Sequence, residues 1–244
     1  MTRRPKNSTA EQLKRAKIAL TNTAGDNEIQ SAVAAFGYNE TTMATGWTYY
    51  NDADAAVASG VAAAGARSKA TDDVRKAEKD ATTAYQRLSV VAKALLQNDK
   101  GSLAKLGLDR PMPRTIAAFL SAAYILFDNA SGDTEIREKL STRGYDDAKL
   151  AQERARIKAY DDADDVQEAA KGANQQATSD ANAAMKRLND WISQYLKIAR
   201  VALSEKKNLL EKLGITVRTA KTAAQRAAPA KAATTRKARR MGAK

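Results

Sequence analysis

The chain has 244 residues, no cysteine, no histidine, 5% aromatic residues and a formal net charge of +13. Without those two residue types there are no disulfides, no Zn–thiolate site and no imidazole base for a nucleophile, so thiol chemistry and serine–histidine catalysis are excluded. Abundant alanine, only four prolines (Pro5, Pro111, Pro113 and Pro229) and no sustained two-residue alternation predict an all-α protein packed closely through small side chains.

The chain opens on a basic arm over 1–7 that carries Arg3, Arg4 and Lys6. It starts like a leader, but Glu11, Lys14, Arg15 and Lys17 interrupt any apolar run, so no signal peptide is expected. No segment approaches the roughly 18 apolar residues of a membrane span. A cytoplasmic location is the resulting expectation.

From residue 8 onward the chain reads as one unit written twice. Gly25, Gly37, Gly65 and Gly107 each recur 107 residues on, as Gly132, Gly144, Gly172 and Gly214. Roughly 0.3 such pairs would arise by random placement. Neighbouring words agree: Gly25-Asp26-Asn27-Glu28-Ile29 matches Gly132-Asp133-Thr134-Glu135-Ile136, and Lys105-Leu106-Gly107-Leu108 matches Lys212-Leu213-Gly214-Ile215. Leu13, Ile18 and Leu20 likewise match Leu120, Ile125 and Phe127 without a gap.

The paired glycines suggest helix ends, because a residue just past a helix often needs positive φ. Asp26, Asp133, Asn39 and Asp146 follow closely as candidate N-caps. Each unit, 8–110 and 111–216, is therefore expected to hold two short helices and a long antiparallel helical hairpin. The long helices are placed near 39–64 and 67–99, then near 146–171 and 174–207, about eight helices in total. Their apolar stripes follow helical spacing. Met43, Trp47, Tyr50, Ala53 and Val57 lie on one, and Ala184, Leu188, Ile192, Tyr195 and Ala199 on another.

Four acidic residues, Asp161, Asp162, Asp164 and Asp165, lie together, as do the pairs Asp52/Asp54 and Asp72/Asp73. Their spacing points them around a helix rather than onto one buried face, and no histidine completes a bundle metal site. They read as solvated helix faces. Trp47 and Tyr50 fall on a core stripe, Tyr49 lies off it, and Trp191 sits beside one, so core packing is the expected role of the tryptophans. No glycine-rich phosphate loop or dinucleotide fingerprint is present. Neither a cofactor nor an enzyme activity is expected.

Charge is unevenly placed. Residues 21–216 hold 26 cations and 27 acids, whereas 217–244 hold nine cations and no acid. The nine are Arg218, Lys221, Arg226, Lys231, Arg236, Lys237, Arg239, Arg240 and Lys244. With almost no large aliphatic residue this segment is expected to be disordered alone. Its composition resembles the lysine- and alanine-rich tails of linker histones and bacterial histone-like proteins, a likeness that carries no individual residue role. Cations spread along such a segment suit a polyphosphate backbone. The expected function is a non-enzymatic helical scaffold tethered to nucleic acid, or another polyanion, through these nine residues. The alternative is a protein-interaction or homo-oligomerising module whose helical surface is the active part, with an incidental tail.

Overall fold

A computed structural model describes residues 8–216, and the arm and the tail lie outside the described residues. Those residues form eight helices and no strand: α1 (Thr9–Ala24), α2 (Asn27–Ala34), α3 (Glu40–Leu95), α4 (Lys100–Lys105), α5 (Ile116–Gly132), α6 (Thr134–Ser141), α7 (Asp147–Ala202) and α8 (Lys207–Lys212). The bounds of α2 and α6, of α3 and α7, and of α4 and α8 recur 107 residues apart at both ends.

Local chemistry explains the helix starts. Ser8 caps α1 in a reciprocal capping box with Glu11. Asp26 and Asp133 each accept two backbone N–H groups at the starts of α2 and α6. Asn39 and Asp146 accept from the amides of Thr42 and Lys149 at the starts of α3 and α7. Gly37 and Gly144 have φ of 89° and 80°, and Gly107 and Gly214 have φ of 66° and 74°, so these four do turn the chain where an L side chain would be strained.

Gly65 and Gly172 behave differently, and here the expected hairpins are corrected. α3 and α7 are single helices of 56 residues that run through both glycines. A lone glycine costs a helix only about 1 kcal/mol. The flanking Gly60-Val61-Ala62-Ala63-Ala64-Gly65-Ala66 is rich in the best helix former and has no proline or Asx cluster to start a turn. The break that the glycine pair suggested is therefore not made. The total of eight helices is reached instead by the six-residue helices α4 and α8.

The helices divide into two compact units. The first holds the described residues up to Asp54 and from Ala183 onward; the second is Ala55–Asn182. Each thus combines material from both 8–110 and 111–216. In the first unit, Leu20, Ile29, Val33, Leu188, Tyr195, Leu203 and Leu213 are buried together with the small residues Ala16, Ala19 and Ala53. The buried Tyr195 hydroxyl hydrogen-bonds that of Thr23, which itself donates to the Ala19 carbonyl.

In the second unit the core runs from Val74 to Tyr160. It includes Leu88, Leu106, Phe119, Leu126, Phe127, Ile136, Leu140, Leu150 and Ile157. Phe119 bridges Tyr85 and Tyr160, with ring centroids 5.5 and 6.0 Å away. The middle of α3 lies against α7 in antiparallel sense, as Gly60 approaches the Ala177 carbonyl while Val91 borders the same hollow as Tyr145, just before α7. This stretch is thinly covered: residues 64–69 are all exposed, and Val61 and Val166 are 70% and 60% exposed.

A Cβ added at Gly65 or Gly172 meets nothing within 4 Å. Gly65→Ala and Gly172→Ala are each expected to raise stability by about 0.5–1 kcal/mol, since helix propensity improves without a clash. Urea unfolding followed by circular dichroism measures this; a loss of stability in both variants would mean that the glycines serve a bend.

Candidate functional site

Two features of the first unit concentrate functional chemistry: a set of unpaired cations beside the root of the tail, and an apolar cleft. The cations are positioned by the way α8 returns to α1. Asn22 on α1 donates to the Lys212 carbonyl at 2.5 Å. Lys212 bonds Asp26 at 2.9 Å, and Lys206 bonds Glu28. The Lys212 ammonium is the main reason that the Asp26 carboxyl titrates below its usual range, with the Ile29 amide second. The positive φ at Gly214 lets the chain turn there, with Ile215 buried and Gly214 against Ile18 of α1.

The end of the described chain thus packs, at Gly214, beside the middle of α1. One turn back along that helix lie Lys14 and Arg15, with Lys17 next to Ile18; all three are exposed and take part in no ion pair among the described residues. Arg15 borders a small hollow with Asn189, Ile192 and Ser193 of α7. Lys197 stands one turn beyond Ser193 on the same helix face. The nine tail cations and Arg3, Arg4 and Lys6 of the arm fall outside the described residues, so of the basic residues read from sequence only Lys14, Arg15 and Lys17 are placed.

Charge separates with the units. The second unit contains nineteen cations and nineteen acids, so its formal charge is zero. The whole +13 belongs to segments continuous with the first unit. Ten of the nineteen second-unit cations are in ion pairs, among them Lys105–Asp133 at 3.0 Å and Lys139–Glu135 at 2.6 Å. Seven of the ten described cations in the first unit are in none.

The cleft has a volume of about 560 Å³ and lies between the end of α1, α2 and the start of α3. Tyr38, Met43, Ala44 and Trp47 supply its apolar lining, and Gln30, Asn39 and Glu40 stand among its polar residues. Tyr38 is fixed by an aromatic group: its ring meets Trp191 edge-on at 5.7 Å and Tyr195 at 5.1 Å, while Trp191 stacks on Tyr195 at 5.4 Å. Burial raises the pKa of Tyr195 and of Tyr38. Trp47 packs edge-on against Tyr50 at 5.7 Å but stays half-buried, as do Tyr49 and Tyr50. The sequence reading put Trp47 in the core; the structure puts it on a cavity wall.

The acidic residues are spread over separate contacts. Asp161 accepts from the Tyr124 hydroxyl at 2.8 Å, Asp162 pairs with Lys158 at 2.7 Å, and Asp72 with Arg75 at 3.4 Å. Among the described residues no group of three acids is gathered for a metal ion. Among the described residues, too, no helix is long and apolar enough to cross a membrane.

Burial pushes the Tyr124 phenol up to about 12, helped by its bond to Asp161. The raised value means that the neutral phenol is favoured in the folded state. Its stabilisation is complete below pH 10 and is lost as pH rises through about 12. In an absorbance titration Asp161→Asn is expected to move this ionisation back toward 10. An unchanged titration curve would remove the Asp161 contribution.

Comparison with protein-family models, curated proteins and solved structures finds no match for this chain.

Proposed function

We propose that the chain is a tandem duplication of a helical repeat, with repeats over 8–110 and 111–216, and that it serves as a non-enzymatic cytoplasmic scaffold tethered to nucleic acid. The tether is the basic segment 217–244, which engages the phosphate backbone without sequence preference. One observation carries this reading. Gly214, shortly before the basic segment, packs against Ile18 of α1, next to Lys17 and a turn from Lys14 and Arg15, and the net charge is confined to segments continuous with this unit. The recurrence of helix bounds at 107-residue spacing supports the duplication.

The test is fluorescence anisotropy with two duplexes of unrelated sequence. The full chain is expected to bind both equally. A variant with the nine tail cations replaced by glutamine is expected to lose binding to both. Equal binding by the two proteins, or no binding by either at low salt, would sink the tether.

The cleft favours a second reading, in which the helical body is a protein-interaction module and the tail is incidental. An apolar cavity walled by Trp47 and Met43, with Phe36 49% exposed nearby, is the kind of surface a partner covers. On that reading the nine-glutamine variant keeps its full activity toward the partner.

A further inference from the structure

The cleft has a counterpart in the second unit, and the two are filled differently. There, Arg137 of α6 lies 3.7 Å from Asp147 at the start of α7. Arg154, two turns along α7, bonds Asp128 at 2.5 Å and places its guanidinium 5.2 Å from the Tyr124 ring centre. Leu150 beneath them is fully buried. The residues 107 positions earlier are Gln30, Glu40, Trp47 and Met43, and all four line the cleft.

The first unit thus keeps one of the two carboxylates, as Glu40, has Thr21 in place of Asp128, and lacks both guanidinium groups. Glu40 is exposed and takes part in no ion pair among the described residues. The Gln30 amide is committed to the Ala24 carbonyl at 2.7 Å. Trp47 presents an indole where the second unit has Arg154. An uncommitted carboxylate beside an aromatic wall suits a guanidinium, which is planar, weakly hydrated, and able to pair with a carboxylate and stack on a ring together.

We propose that the cleft receives an arginine side chain from the chain's own C-terminal segment, 217–244. That segment holds five arginines (Arg218, Arg226, Arg236, Arg239 and Arg240) and no acid to compete with Glu40. It also starts close by. Gly214 abuts Ile18, and Thr23, which lines the cleft, is five residues further along α1, about 8 Å by helical rise. Twenty-eight residues can span up to about 90 Å, so more than one of the arginines can reach. The assignment does not depend on nucleic-acid binding, because no polyanion takes part in it.

The test uses the full chain and a variant with the five tail arginines replaced by glutamine. It follows the two tryptophan indole N–H signals by NMR, with the Trp47 signal identified through Trp47→Phe. The Trp47 signal is expected to differ between the two proteins while that of Trp191 stays in place. The peptide acetyl-Ala-Arg-Ala-amide, added to the variant, should return the Trp47 signal toward its position in the full chain. The matching peptide with glutamine should leave it unmoved. Glu40→Gln in the same variant is expected to weaken the arginine peptide by about fivefold or more. A Trp47 signal indifferent to the tail substitutions overturns the proposal even where the peptide binds, since the cleft then serves another arginine. Peptide affinity indifferent to Glu40→Gln overturns it as well.

Discussion

Raising salt from 50 to 200 mM should weaken the binding of this protein to duplex DNA by a factor on the order of 10⁵. The figure follows from counterion release: nine tail cations on phosphates give a slope of about −8 in log affinity against log salt. Lys14, Arg15 and Lys17 lie within about a turn of Ile18, where Gly214 packs, and have no ion pair among the described residues, so they can join the same contact. If all three do, the slope steepens to about −11. Replacing the three by glutamine should then return it to about −8 while both duplex sequences continue to bind equally. Lys105 and Lys139, held by Asp133 and Glu135 in the second unit, are the control. Their replacement should leave the slope unchanged. A slope near zero for the full chain would refute the phosphate-tether reading.

Gly46→Ala should destabilise the first unit by up to about 2 kcal/mol although alanine is the better helix former. A Cβ at Gly46 would come within 2.7 Å of Cζ2 and Cζ3 of Trp191. That ring cannot easily withdraw, being stacked on the fully buried Tyr195 and met edge-on by Tyr38. Overpacking costs about 1–3 kcal/mol, and the gain in helix propensity returns about 1. The sign should reverse once the ring is gone. In a Trp191→Ala background, Gly46→Ala should stabilise by about 1 kcal/mol, giving a coupling well above 1 kcal/mol between the two sites. The 107-residue spacing makes the same point: that far from Gly46 and Trp191 stand Glu153 and Ala84, a large residue and a small one in exchanged places. Denaturant unfolding of the four proteins measures the cycle, and additive effects would mean that Trp191 moves aside freely.

Much of the fold was legible because its signals are local. Caps at Asp26, Asn39, Asp133 and Asp146 act on the next three amides, and the glycines at 37, 107, 144 and 214 act on their own φ. Gly65 and Gly172 misled the reading for the same reason. Taken alone, a repeated glycine in a long helix resembles an end, but continuity depends on what the flanking alanine stripe packs against. That stripe finds α7 as its neighbour, which no local rule anticipates. The cleft was less legible still. Trp47 has the spacing of a core residue, and only the position of α2 leaves it on a wall. A signal was nevertheless present: a shift of 107 residues sets Gln30 against Arg137, Trp47 against Arg154 and Thr21 against Asp128, a loss of two cations and one acid that leaves Glu40.

By itself the amino-acid sequence determined the helical class, the 107-residue spacing of its glycines, the starts of α2, α3, α6 and α7 and the placing of nearly all net charge outside residues 21–216. These follow from composition, spacing and capping chemistry, which act within a few residues or by simple addition. The tertiary structure decided how the helical stripes are paired, and with that, which halves of α3 and α7 share a unit. It also decided that Gly214 packs on α1 at Ile18, and that one cleft stays open while its counterpart is crossed by ion pairs. Those outcomes depend on side chains up to 190 residues apart, such as Asn22 and Lys212, meeting in space. Packing selects such meetings, and periodicity alone cannot.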